Sequence, residues 1–94
     1  MKKATLIYRL SETRDDGTKI DVVIWQLPAP TSDRPHGLKY RLWAGKEGKT
    51  LVRYDNESGK GDHKHVGPGE TEVPYEFKSM EQLVSDFLAD IDKE

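Results

Sequence analysis

All three histidines of the chain, His36, His63 and His65, lie between positions 36 and 65, and two of them stand one residue apart in the segment RYDNESGKGDHKH, Arg53 to His65. If Asp62–Val66 is extended, alternate side chains share a face, so His63 and His65 point one way and Lys64 the other. Two strand steps set the histidine Cα atoms about 6.6 Å apart, a spacing at which two imidazoles can flank one phosphate. Lys60 sits on the preceding loop between Gly59 and Gly61, where backbone N–H groups can approach an anion closely.

Such a set suits the cleavage of RNA without a metal ion. A base must take the 2′-hydroxyl proton, an acid must protonate the leaving 5′-oxygen, and cations must stabilise the charged phosphorane. Histidine suits both proton transfers because it titrates near working pH. Lys60, Arg53 or Lys64 suits the electrostatic part. Tyr54 or Asn56 can hydrogen-bond a phosphate or ribose, and Asp62 or Asp55 can orient a histidine. On this reading His63, His65, Lys60, Tyr54 and Asp62 form the catalytic group. Arg53, Asn56, Lys64, Arg41 and Lys39 hold the polynucleotide.

The same residues admit other readings. A short His-x-His among lysines is commonly a solvated loop. His63, His65 and an Asp offer nitrogen and oxygen ligands for zinc or manganese, as in a metal-dependent hydrolase. A third firm ligand is then needed and His36 is the only other imidazole, so no metal and no cofactor are expected. A module that grips nucleic acid or protein without catalysis would use the same basic side chains. Trp25 and Trp43 are read as packing residues rather than base-stacking platforms, and His36, in a proline-rich loop, as exposed.

The elements that must position these residues follow from alternation and turn chemistry. Ala4–Leu10 alternates with Ala4, Leu6, Tyr8 and Leu10 on one side. Asp16-Gly17 then turns the chain into Lys19–Leu27, whose two apolar faces suggest a central strand. Pro28–Gly37 is a loop. Leu38–Ala44 and Thr50–Asp55 form a second hairpin, and Asp62–Val66 is a short candidate fifth strand. Gly67–Pro74 reads as loop. Ser79 is a good N-cap, and Gln82 completes a capping box. Met80, Leu83, Val84, Phe87, Leu88 and Ile91 recur at helical spacing as one apolar stripe, with Phe77 at the helix entrance. The expected fold is α+β, an antiparallel sheet of four or five strands packed on one C-terminal helix.

Composition sets the outer bounds. Ninety-four residues, 34% of them hydrophobic, suffice for a single domain, 1–94, with one modest core. The chain has no cysteine, which excludes disulfides and thiolate metal sites. No apolar run is long enough to span a membrane, and Tyr8 and Arg9 interrupt the only stretch that resembles a leader, so a cytoplasmic protein is expected. Residues 34–69 carry eight basic and four acidic side chains, and residues 70–94 carry two basic and eight acidic. A cationic middle can hold phosphates, and an acidic tail can shield it or bind a basic partner.

The segment RYDNESGKGDHKH also resembles the TumE family of small toxins from bacterial toxin–antitoxin pairs. The likeness runs along nearly the whole chain, through KATLIYRL, DVVIWQLPAP, LKYRLWAG, LVRYDNESGKGDHKH and YEFKSMEQLVSDFLADI. The family motif falls on Arg53, Tyr54, Asp55, Asn56, Gly59, Lys60, Gly61, Asp62, His63 and His65. The resemblance implies a toxin neutralised by a cognate antitoxin, usually a helix-turn-helix protein encoded beside it. With the residue chemistry it makes RNA the expected target. A sheet of this kind can also pair with a second copy along a free edge, although nothing in the chain demands a homodimer.

Overall fold

The computed structural model describes residues 3–56 and 61–93. Six strands form one antiparallel sheet in chain order: β1 (Thr5–Thr13), β2 (Lys19–Gln26), β3 (Leu38–Lys46), β4 (Lys49–Asp55), β5 (His63–Val66) and β6 (Thr71–Pro74). One helix, α1 (Met80–Lys93), follows and lies over β4. The α+β class stands as expected. The strand count among the described residues exceeds the expected four to five because Thr71–Pro74, flanked by prolines and only four residues long, is a strand. A turn at Gly67–Glu70 folds it back onto β5, with Gly67 N–H bonded to the Leu51 carbonyl and Glu70 N–H to the Gly67 carbonyl.

Local chemistry explains the hairpins. At the first, Asp16 Oδ1 accepts the Thr18 N–H at 2.9 Å and Gly17 takes a φ of 91°. At the second, Glu47 and Gly48 both have positive φ, 53° and 77°. Two such residues give the primed turn whose twist matches the flanking strands. Gly45 is required for a different reason. A Cβ there would collide with the Trp43 indole and lie 2.7 Å from the Lys49 carbonyl oxygen.

The core is one-sided. Ile20, Val22 and Ile24, then Tyr40, Leu42 and Ala44, then Val52 and Tyr54 meet Leu83, Phe87 and Ile91 of the helix stripe. Phe87 and Leu83 are fully buried, and each such side chain contributes about 1.5–3 kcal/mol. Ser79 Oγ accepts the Gln82 N–H at 3.0 Å and so caps the helix. The Gln82 side chain does not reach back as a capping box would; it bonds Asp86 Oδ1 one turn on.

The alternation expected for the first strand is broken. The β1–β2 register shifts between Leu6 and Tyr8, so Leu6 pairs with Trp25 while Tyr8 pairs with Ile24. The extra residue, Ile7, flips Leu6 to the face opposite Tyr8 and Leu10. Leu6, Ile7 and Trp25 are the large apolar side chains left exposed.

Candidate functional site

The helix covers one face of the sheet, and the register places the histidines on the other. Arg41 pairs with Asp55 and Asp55 with His63, while Trp43 pairs with Arg53, Arg53 with His65 and His65 with Glu72. The alternate row, Leu42, Tyr54 and Lys64, faces the helix. The open face therefore presents Arg41–Asp55–His63 beside Trp43–Arg53–His65. The two imidazole centroids lie 5.0 Å apart, with the rings near perpendicular.

Both rings are held by their Nδ1 atoms. His63 Nδ1 is 3.0 Å from the Gly61 carbonyl oxygen, and His65 Nδ1 is 3.1 Å from that of Glu70. A carbonyl only accepts, so each Nδ1 carries the proton and each Nε2 is left for other work. His63 Nε2 lies 2.6 Å from Asp55 Oδ1. Arg53 Nε lies 3.1 Å from Asp55 Oδ2, and its Nη1 donates to Glu70 Oε1 at 2.9 Å. Neither Asp55 Oδ1 nor Arg53 Nε has an aligned hydrogen-bond partner among the described residues, although both atoms are buried. Their close approaches are charge contacts rather than straight hydrogen bonds. Glu72, 60% exposed, carries Oε1 3.9 Å from His63 Nε2 and 3.7 Å from His65 Nε2.

Several residues expected at the site serve the framework instead. Tyr54 is in the core, donating its hydroxyl to Asp90 Oδ2 and packing edge-on against Tyr75 and Phe87. Burial first, and the Asp90 bond second, raise its ionisation well above the ordinary tyrosine range. Lys64 points under the helix and donates to Asp90 at 2.9 Å. Asn56 is buried and continues the β3 ladder with its side chain. Its Oδ1 accepts Tyr40 N–H at 3.0 Å, and its Nδ2 donates to the Leu38 carbonyl at 2.8 Å. Asp62 does orient a histidine, but that histidine is His36, whose Nε2 is 3.0 Å away, and Asp62 also accepts the Tyr40 hydroxyl at 2.6 Å.

His36 is accordingly not an exposed loop residue. Its Nδ1 accepts the Leu38 N–H, and its ring lies 3.9 Å from that of Phe77. Lys60 and Gly59 lie outside the described residues.

The family model for toxin TumE matches residues 3–94. The chain belongs to the TumE family. No curated protein and no solved structure matches it. Membership in TumE brings a toxin's role and, in general, an antitoxin as partner. No helix among the described residues is long and apolar enough to cross a membrane.

Beside the histidines of this TumE protein runs a cationic cleft. A depression of about 410 Å³ is bounded by Lys39, Tyr40, Arg41, Arg53, Asp55 and Asn56. A second, of about 280 Å³, shares Lys39, Tyr40 and Arg41 and ends on Val23 and Trp25. Lys39 and Arg41 are exposed there. Trp25 is 36% exposed on the same face rather than packed in the core. Sequence reasoning missed Glu70 and Glu72, because their place beside the histidines depends on the unexpected strand β6. Of the two carboxylates that sequence reasoning offered to orient a histidine of the pair, Asp62 or Asp55, it is Asp55 that faces His63.

Proposed function

We propose that this toxin is a ribonuclease that works without a metal ion on the uncovered sheet face. The observation that carries the reading is the arrangement of His63 and His65. They stand side by side on a face no helix occupies, each with Nδ1 committed to a backbone carbonyl and Nε2 on the working edge. His65 Nε2 is the base that takes the 2′-hydroxyl proton. The freed O2′ attacks phosphorus, the P–O5′ bond breaks, and O5′ takes a proton from His63. That proton leaves from His63 Nε2, the edge that Asp55 faces and orients.

Arg53 and Arg41 stabilise the phosphorane, and Lys39 with Trp25 guides the strand toward the histidines. Glu72 lies over both Nε2 atoms, so its exposed side chain swings aside as RNA enters. The partner that restrains the toxin is a helix-turn-helix antitoxin, and both proteins act in the cytoplasm.

The test is incubation of the purified protein with RNA in EDTA. Cleavage leaving 2′,3′-cyclic phosphate ends is expected. His65→Gln or His63→Gln should each lower the rate by about 10²–10⁴-fold while circular dichroism stays native. Intact RNA after incubation with folded protein overturns the proposal. Growth inhibition that survives the double histidine variant but falls when Lys39, Arg41 and Arg53 are neutralised would instead establish a binding toxin without catalysis.

A further inference from the structure

We infer that Asp55, His63 and His65 form a binding site for one transition-metal dication, of which Zn²⁺ fits best, and that occupancy switches off the cleavage described above. The inhibitory half rests on the ribonuclease reading; the site itself does not.

One ligand atom from each of the three residues lies within 4.8 Å of the others. Both imidazoles already have the outer-sphere bond that metal-bound histidines show, an Nδ1–H donated to a backbone carbonyl, which leaves the Nε2 lone pair to coordinate. Asp55 Oδ1, buried and without an aligned hydrogen-bond partner among the described residues, is the third donor. Glu72 Oε1, 3.9 and 3.7 Å from the two Nε2 atoms, is within a side-chain rotation of a fourth position.

Bonds of 2.0–2.2 Å in a tetrahedron put ligand atoms about 3.4 Å apart. The Glu72 separations are already close to that value. The 2.6 Å approach of His63 Nε2 to Asp55 Oδ1 must widen, and the wider separations within the triad, which reach no further than 4.8 Å, must close toward that value. With neutral rings, the carboxylates of Asp55, Glu70 and Glu72 outnumber the guanidiniums of Arg53 and Arg41 beside them among the described residues, so the site favours a cation. The donor set, two imidazoles and a carboxylate, selects Zn²⁺ over Mg²⁺ or Ca²⁺, which prefer oxygen ligands throughout.

A metal held on both Nε2 atoms removes the base and the acid together.

The experiment uses the full chain, stripped of metal with EDTA and then dialysed. Titration with Co²⁺ should develop the visible absorption of a four-coordinate nitrogen–oxygen site and saturate at one equivalent. Zn²⁺ should bleach it and raise the thermal midpoint. Asp55→Asn and His65→Gln should each weaken Zn²⁺ by at least about 100-fold, more than the loss typical of outer-sphere changes. One equivalent of Zn²⁺ should suppress RNA cleavage at least tenfold, and EDTA should restore it. Absence of Co²⁺ absorption in folded wild-type protein, or binding unaltered in both variants, overturns the site. Cleavage that rises with Zn²⁺ overturns both the inhibitory role and the metal-independent reaction. If RNA is never cut but the Co²⁺ spectrum appears and the variants lose it, the site stands and the ribonuclease reading falls.

Discussion

At the scale of single residues, the open and covered faces divide chemistry from support. Tyr54 and His65 belong to neighbouring strands, yet their side chains do opposite work. The Tyr54 hydroxyl is bonded to Asp90 beneath the helix, where no RNA can reach it. Tyr54→Phe should leave RNA cleavage unchanged while lowering unfolding free energy by about 1.5–3 kcal/mol, the net value of a hydrogen bond to a charged group. Urea titration and the cleavage assay on the same preparation check this. A loss of cleavage with native stability would put Tyr54 back among the reacting groups.

At the scale of elements, β3 and β4 determine how the site is held. Their ladder runs out at Arg41–Asp55, and the Asn56 amide takes over by satisfying Tyr40 N–H and the Leu38 carbonyl. Its own carbonyl receives Arg34 Nε at 3.0 Å, which ties the proline-rich loop to the same point. Asn56→Ala orphans two backbone groups in a buried place and should cost about 2–4 kcal/mol. The midpoint of urea unfolding should fall accordingly. Because Asp55 precedes Asn56, cleavage should weaken as well, through loosening of the His63 partner. A variant as stable as wild type would show that Asn56 is free to meet a ligand.

At the scale of the whole molecule, charge is sorted between the two sides of the sheet. The acidic side chains of α1 act as acceptors on the covered side. Asp90 serves Tyr54 and Lys64, Asp86 serves Tyr75, and Asp92 pairs with Arg14. These three are thereby turned away from the cleft at Lys39 and Arg41, whereas Glu70 and Glu72, earlier in the same acidic tail, lie against Arg53 and the histidines.

This sorting makes stability depend on pH at both ends. Burial, and then bonds to Asp62, Asp90 and Asp86, raise the ionisation of Tyr40, Tyr54 and Tyr75 above the usual 10.0. Their contribution is complete below pH 10 and is lost as pH rises beyond it, because the unfolded chain ionises first. Burial alone would raise Asp90, but the Tyr54 and Lys64 bonds and the charges of Lys64 and Lys93 outweigh it and hold the carboxyl below 3.8. Its contribution is present above that value and lost as pH falls through the lowered one. Thermal midpoints should therefore drop above about pH 10 and below about pH 4. Tyrosine absorbance should show that those three rings do not ionise until the fold opens.

Two hairpins, the helix with its Ser79 cap and apolar stripe, and the common face of His63 and His65 are legible in the order of residues alone. These are local matters, because side-chain alternation, turn dihedrals and helical spacing are properties of a few consecutive residues. Which face the helix covers emerges from packing, and with it that Tyr54 and Lys64 lie beneath the helix while Arg41 and Arg53 remain beside the histidines. Packing also assigns Asp62 to His36, brings Glu72 of β6 beside His65, and turns Leu6 outward through a bulge at Ile7. Those outcomes depend on register between strands distant in sequence, where one extra residue reverses every side chain that follows. No pattern within a single strand records the position of its neighbour.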